Sequence, residues 1–351
     1  MIRAIIVDDV ATVRQALRGL LAQDSRIEVV AEGRNGTEAV SLTHLHRPDI
    51  VLMDVDMPRM DGLDATREIM ATCATPILIV TSSAVYDARH LPFAAIEAGA
   101  LDVFPKPNLL NGSGWNSVAA KLCQTVRLLS RVRVVSRRPR KSVSSLMPAH
   151  DRPRLLPSWV PEVIAIGAST GGPAVIRQIL EVLPADYPIP IIIVQHIGEE
   201  FVPGLVQWLD HNAAIRVSLA QDRQAVMPGT AVVAPGNVHL RMVEGPAIKL
   251  DNGPLVQHCR PAADVLFHSA AQVFHSKVVG ILLTGMGRDG ADGLRAIHSA
   301  GGLTIAQDKD SSTVYGMPGT AVELGVVQYV MAPQSIGRWL VNLPKSATEV
   351  Q

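Results

Sequence analysis

Short apolar runs recur along the chain and alternate with stretches whose apolar residues repeat at helical spacing. Residues 4–7 read as a strand. Residues 10–22 carry apolar side chains at 10, 13, 17, 20 and 21, the period of an amphipathic helix. A strand at 28–31 and a helix at 36–44 follow. Residues 50–53 are continuously apolar, as expected of a strand covered on both faces. Strands at 77–80 and 101–104 complete the series. Five strands with helical crossovers predict a doubly wound α/β sheet over residues 1–120.

The pattern breaks after that. A helix is expected from Ser117 onward, and residues 121–158 read as its extension followed by a linker. From Arg127 to Arg154 there are nine basic residues against one acid, Asp151, with serines and prolines that break any periodicity. No aromatic residues interleave, so a solvated tether fits better than a nucleic-acid site. Alternation resumes over residues 159–347. Strands are expected at 163–166, 189–195, 231–234, 278–283 and 303–306, and a helix at 174–183. These predict a second, mostly parallel α/β domain, with an antiparallel hairpin around 231–250.

Composition narrows the class. A chain of 351 residues with 48% hydrophobic and 18% charged residues fits two globular domains. Formal net charge is zero, which leaves no whole-molecule footprint for nucleic acid or a membrane surface. No apolar run is long enough to span a membrane, and the apolar start meets Asp8 and Asp9 too soon for a secretory signal. The three cysteines, Cys73, Cys123 and Cys259, are odd in number and far apart. They fit reduced thiols, hence a cytoplasmic protein.

Candidate chemistry gathers at strand ends. In the first domain Asp8 and Asp9 follow the first strand, Asp54 the third, Thr81 the fourth and Lys106 the fifth. Ligands of such sheets bind outside the carboxyl ends of the strands, so these residues should converge. Clustered carboxylates repel unless a cation is present, and hard oxygen ligands suit Mg²⁺. A lysine adds counter-charge and a threonine hydroxyl can hold a phosphoryl oxygen. The set fits a carboxylate that accepts a phosphoryl group.

In the second domain, the strand at 163–166 runs into Gly167-Ala168-Ser169-Thr170-Gly171-Gly172-Pro173. This is a tight corner with Pro173 where a helix starts. Ser169 there is either a nucleophile or part of a phosphate cradle. The cradle reading is weaker: the full dinucleotide glycine spacing is missing, no lysine follows the glycines, and the next strand ends in Gln195-His196 rather than an acid. His196 and Asp289 each follow another buried strand. A Ser169–His196–Asp289 set would generate an activated serine, with the Met286 backbone N–H as an oxyanion donor. Cys259 beside His258 suggests a thiol nucleophile, but sequence neighbours seldom have triad geometry.

Residues 1–120 resemble a response-regulator receiver domain, through VDD (7–9), LMDVDMPRMDG (52–62), Thr81 and Lys106-Pro107. The resemblance implies a flavodoxin-like (βα)5 fold and phosphorylation at Asp54. It also implies Mg²⁺ on Asp8, Asp9, Asp54 and the backbone carbonyl of Asp56, and phosphoryl contacts from Thr81 and Lys106. Lys106–Pro107 is expected to be cis. The usual switch aromatic three residues before the lysine is replaced by Val103.

Residues 160–345 resemble the catalytic domain of the CheB family of chemotaxis protein-glutamate methylesterases. The resemblance rests on IGASTGGP (166–173), VQH (194–196), APGNVHL (234–240), RPAADVLF (260–267) and LLTGMGRDG (282–290). It implies hydrolysis of glutamate methyl esters, and deamidation of glutamines, on methyl-accepting chemotaxis receptors. Ser169 would form the acyl-enzyme, with Thr170 and Met286 positioning the substrate or its oxyanion and Arg260 meeting acidic receptor surface. No cofactor is implied in this domain. A CheA-type histidine kinase would phosphorylate Asp54 and relieve an active site that the receiver otherwise covers. A monomer is expected. The alternative is a non-catalytic, phospho-switched binding module on the same fold.

Overall fold

A computed structural model describes residues 1–82, 91–107, 115–134 and 161–344. Much of the basic linker and the chain beyond 344 lie outside the described residues. The chain divides into two compact units, Met1–Ser144 and Ser145–Gln351.

The first unit runs β1 (Ile2–Val7), α1 (Ala11–Leu21), β2 (Ile27–Gly33), α2 (Gly36–His46), β3 (Ile50–Met53), α3 (Gly62–Thr72), β4 (Ile77–Thr81), α4 (Leu91–Ala98), β5 (Asp102–Pro105) and α5 (Trp115–Leu129). All five strands are parallel, in the order β2-β1-β3-β4-β5 of flavodoxin-like sheets. Every residue of β3 is buried, which is why its sequence shows no alternation. The periodic residues Leu17, Leu20 and Leu21 of α1 pack with Leu122, Val126 and Leu129 of α5 in one core. Each such side chain contributes roughly 1.5–3 kcal/mol on burial. Helix α5 therefore starts before Ser117 and belongs to the first unit along its whole length.

The second unit continues with β6 (Val163–Ala168), α6 (Gly172–Leu180), β7 (Ile191–Gln195), α7 (Val202–Asn212), β8 (Arg216–Leu219), β9 (Thr230–Val233), β10 (His239–Val243) and β11 (Ala247–Asp251). Then come α8 (Ala263–Phe274), β12 (Val278–Leu282), α9 (Ala291–Ser299), β13 (Leu303–Gln307), α10 (Met317–Glu323), β14 (Tyr329–Met331) and α11 (Pro333–Asn342). Seven strands form a parallel sheet in the order β14-β13-β12-β6-β7-β9-β8. The central strands β6, β7 and β12 are buried along their whole length. The expected hairpin is narrower than 231–250. Strand β9 pairs in parallel with β7 and β8, and only β10 and β11 form the antiparallel pair. Helix α8 packs against that pair, and the Ser269 hydroxyl accepts the Met242 N–H at 2.9 Å.

One expectation on the backbone is corrected. Lys106–Pro107 is trans, the ordinary state of an X–Pro bond, and the cis bond among the described residues joins Arg260 to Pro261. No helix among the described residues is long and apolar enough to cross a membrane.

Candidate active site

The first unit brings Asp8, Asp54 and Lys106 together at its strand ends. Lys106 Nζ lies 2.7 Å from Asp54 Oδ2 and 2.8 Å from Asp8 Oδ2. Asp8 and Asp54 are buried, while Asp9 is exposed, and the three carboxylates offer oxygens within 4.8 Å of one another. Burial drives the Asp54 pKa upward and Asp8 adds to the rise; the Lys106 ammonium and the Thr81 hydroxyl only partly oppose it. Burial alone would lower the Lys106 pKa, but the two carboxylates outweigh it and raise it. Two buried carboxylates share one ammonium, so the pocket carries excess negative charge. This hard-oxygen set fits a divalent cation such as Mg²⁺. Thr81 closes β4 and is buried beside Asp54; Asp56 is exposed on the following turn.

Arg14, one turn into α1, went unnoticed in the sequence. It is buried and donates to the Asp8 carbonyl at 2.7 Å, which fixes the acidic turn. Val103 is buried on β5, and the neighbouring Phe104 points into the core shared by α1 and α5.

In the second unit the corner after β6 is built as its sequence suggests. Strand β6 ends at Ala168, Gly171 caps α6 at φ 78°, and Pro173 occupies the first turn. A left-handed φ of that size favours glycine. Ser169 is 9% exposed, on the sheet edge between two supports. Its N–H donates to the Thr284 carbonyl at 3.0 Å, and its own carbonyl accepts the buried Gln195 side chain at 2.8 Å. On its other side Gly285 approaches so closely that an added Cβ would lie 2.7 Å from Ser169 Cβ.

Ala168 and Gln195 pair across β6 and β7, and the His196 N–H donates to the Ala168 carbonyl at 2.9 Å, so Ser169 and His196 each follow a paired residue at neighbouring strand ends. His196 Nε2 lies 2.9 Å from Asp289 Oδ2. The ring N–H is poorly aligned with that oxygen. Such contacts in free enzymes often straighten once substrate binds. Both Asp289 oxygens are held by the first turn of α8: Ala263 N–H donates to Oδ2 at 2.6 Å and Asp264 N–H to Oδ1 at 3.0 Å. A helix N-terminus favours an anion there. Burial would raise the Asp289 pKa, but His196 and these amides outweigh it and lower it. Burial likewise opposes a charged His196 ring, and Asp289 and Cys259 reverse this, so its pKa is raised.

The remaining predicted residues divide. Thr170 follows the serine and Met286 follows Gly285, whose backbone packs on Ser169; neither backbone N–H has a partner among the described residues. Thr284 Oγ1 donates to the Thr170 carbonyl at 3.0 Å and accepts the Val314 N–H at 3.0 Å, tying the two turns together. Arg260 instead spends its guanidinium on its own loops, bonding Asn237 Oδ1 at 2.7 Å and the Gly253 carbonyl at 3.0 Å. Asp264 was also missed. It accepts the Gly293 N–H at 2.7 Å and joins the starts of α8 and α9. Cys259 lies beside His196 rather than acting with His258: its sulfur is 3.8 Å from His196 Nδ1. Only the fold brings residues 63 positions apart into that contact.

A receiver-type acidic pocket in one domain and a serine–histidine–aspartate cluster in the other define the class: a response regulator with a hydrolase-type output domain. Residues 164–340 match the family described as CheB methylesterase, and residues 4–111 match the response regulator receiver domain. The chain is 41% identical over 344 residues to protein-glutamate methylesterase/protein-glutamine glutaminase 4 of Geobacter metallireducens, covering 98% of this chain and 99% of that one. It is 40% identical to protein-glutamate methylesterase/protein-glutamine glutaminase 1 of Syntrophus aciditrophicus, with 99% of each covered. The crystal structure of the Thermotoga maritima CheB methylesterase catalytic domain aligns with a TM-score of 0.51 and 35% identity, over 53% of this chain and all of that one. The chain belongs to the CheB methylesterase family and carries an N-terminal response regulator receiver domain.

Proposed function

We propose that this chain is a phosphorylation-activated, cytoplasmic protein-glutamate methylesterase and glutamine deamidase acting on chemotaxis receptors. The observation that carries the reading is the convergence of Ser169, His196 and Asp289 in the segments that follow three adjacent buried strands, with His196 Nε2 2.9 Å from Asp289 Oδ2. His196 Nε2 faces Asp289, and Nδ1, which lies 3.8 Å from Cys259 Sγ, is the nitrogen that takes a proton. In the reaction Ser169 Oγ attacks the ester carbonyl as its proton passes to His196 Nδ1. Asp289 stabilises the imidazolium that forms. The tetrahedral oxyanion meets the N–H groups of Thr170 and Met286. Collapse expels methanol, which takes the proton from His196, and leaves an acyl-Ser169 intermediate. Water then attacks with His196 as base and frees the glutamate carboxylate. A glutamine substrate follows the same path and expels ammonia.

Asp8, Asp9, Asp54 and the Asp56 carbonyl are the groups to hold Mg²⁺, which when bound neutralises charge on an incoming phosphoryl group. Asp54 accepts that group from a CheA-type histidine kinase. Thr81 and Lys106 contact its oxygens. The unphosphorylated receiver restrains the catalytic site, and phosphorylation relieves the restraint.

The test is methanol release from methylated receptors by the intact chain, with and without a small-molecule phosphodonor. Release that rises with the phosphodonor supports the reading. No release in either condition, from folded protein phosphorylated at Asp54, would favour a non-catalytic binding module.

A further inference from the structure

Cys259 has no part in the proposed hydrolysis, yet the chain bends sharply to present it. Val256 and Cys259 exchange backbone hydrogen bonds of 3.1 and 2.8 Å around a two-residue turn. Gln257 and His258, the residues in that turn, adopt φ of 50° and 64°. Such turns normally take Asn-Gly, because non-glycine residues are strained there. Strain of this kind persists where surrounding contacts demand it, often at functional sites. The turn sets a half-buried thiol 3.8 Å from His196 Nδ1.

We infer that Cys259 and His196 form a binding site for a soft divalent metal ion, Zn²⁺ in particular, which switches off the hydrolytic site. Zinc takes thiolate at about 2.3 Å and imidazole at about 2.0–2.1 Å, and a tetrahedral angle between them separates sulfur from nitrogen by about 3.6 Å. The observed 3.8 Å is close to that span. The opposite ring nitrogen already faces Asp289 at 2.9 Å, and a carboxylate in that position fixes the tautomer that leaves Nδ1 free to bind a metal. Water completes the coordination. On binding, the thiol releases its proton to solvent, a protonated His196 ring releases the Nδ1 proton as well, and the ion takes the Nδ1 lone pair. That lone pair is the one that would accept the Ser169 proton, so the loaded site cannot activate the serine. The inhibitory part of this inference rests on the proposed hydrolase; the metal site itself does not.

Co²⁺ provides a direct probe, because cobalt bound to a thiolate absorbs in the near ultraviolet. Intact protein is titrated with Co²⁺ in excess Mg²⁺, which occupies the oxygen-only receiver pocket. The band should appear in the wild type and in Ser169→Ala, be lost in Cys259→Ser, and disappear when Zn²⁺ competes. No band, or a band that survives Cys259→Ser, overturns the site. In parallel, Zn²⁺ should suppress ester hydrolysis by the wild type reversibly with chelator. Cys259→Ser should need at least roughly tenfold more Zn²⁺ for half-inhibition relative to its own metal-free rate. Equal sensitivity of the two proteins overturns the switch. If metal-free wild type hydrolyses nothing, the hydrolase reading fails, and the cobalt spectrum still decides the site.

Discussion

Asp289→Asn removes the charge beside His196 and nearly preserves shape, so its consequences follow from a few distances. Both carboxylate oxygens accept buried backbone N–H groups, from Ala263 at 2.6 Å and Asp264 at 3.0 Å, and Oδ2 also faces His196 at 2.9 Å. An amide supplies one acceptor. If its oxygen stays toward His196 and Ala263, its NH₂ confronts the Asp264 N–H. If it turns over, the NH₂ confronts both Ala263 and His196. Either way at least one buried donor is stranded, at a cost of about 1–3 kcal/mol each. For a domain of this size that lowers Tm by about 2–4 °C per kcal/mol. The imidazolium also loses a charge-assisted partner worth about 1.5–3 kcal/mol. At about 1.4 kcal/mol per tenfold in rate, charge alone costs about 10- to 150-fold. An imidazole held in the wrong tautomer adds to this, and triads altered in this way lose up to about 10⁴ in kcat. We expect kcat for methanol release to fall by about 10²–10⁴ with KM little changed.

The pH profile supplies a second readout. Asp289 helps hold the His196 pKa above its usual value, and the base must be neutral to act. The alkaline rise in kcat should therefore move to lower pH in the variant. The sign for stability is consistent. A raised histidine pKa contributes stability below the unfolded value of about 6.5, and that contribution fades as pH rises through the folded pKa. A variant within threefold of wild type, with an unmoved pH limb, would refute the assignment of Asp289.

Other consequences are open to measurement. The raised Asp54 pKa means that the receiver loses stability as pH rises from the usual carboxylate range through the folded value. Mg²⁺ at a hundredfold its Kd should add about 2.7 kcal/mol at neutral pH, seen by calorimetry as a higher receiver Tm that chelation reverses; no shift would exclude the site. Asp54→Asn should abolish stimulation by a phosphodonor, and stimulation that persists would place the switch elsewhere. Gly285→Ala would put a Cβ 2.2 Å from Met317 Sδ and 2.7 Å from Ser169 Cβ. Overpacking there should cost about 1–3 kcal/mol in thermal unfolding and lower the esterase rate, and a variant of wild-type stability and rate would show that the corner tolerates displacement.

Much of the fold was legible because the central strands are buried on both faces and stand out as unbroken apolar runs, as at β3, β7 and β12. The edge strands β8 and β14 were not, because they are short and partly exposed and carry no comparable pattern. The helix after Ser169 was read too late and too long: Pro173 already lies in its first turn, and it ends at Leu180. Strand-end placement predicted that Ser169, His196 and Asp289 converge, since a parallel sheet brings such ends to one edge. The groups that brace them were hidden. Asp264 and Gln195 act through backbone contacts that only packing creates. The role of Cys259 depends on a strained turn and on His196, neither visible beside its sequence neighbour. Arg260, expected from the resemblance to meet a partner, makes hydrogen bonds to Asn237, Asn252 and Gly253 of the loops around it.

The central claim is that Ser169 is the nucleophile, and a fluorophosphonate that traps activated serines tests it most directly. Intact protein treated with the reagent and mapped by peptide mass spectrometry should carry one adduct, on Ser169, with labelling that tracks the loss of methanol release and is absent in folded His196→Ala. Stoichiometric loss of activity with the adduct on Cys259, or full turnover after Ser169 is blocked, would contradict it.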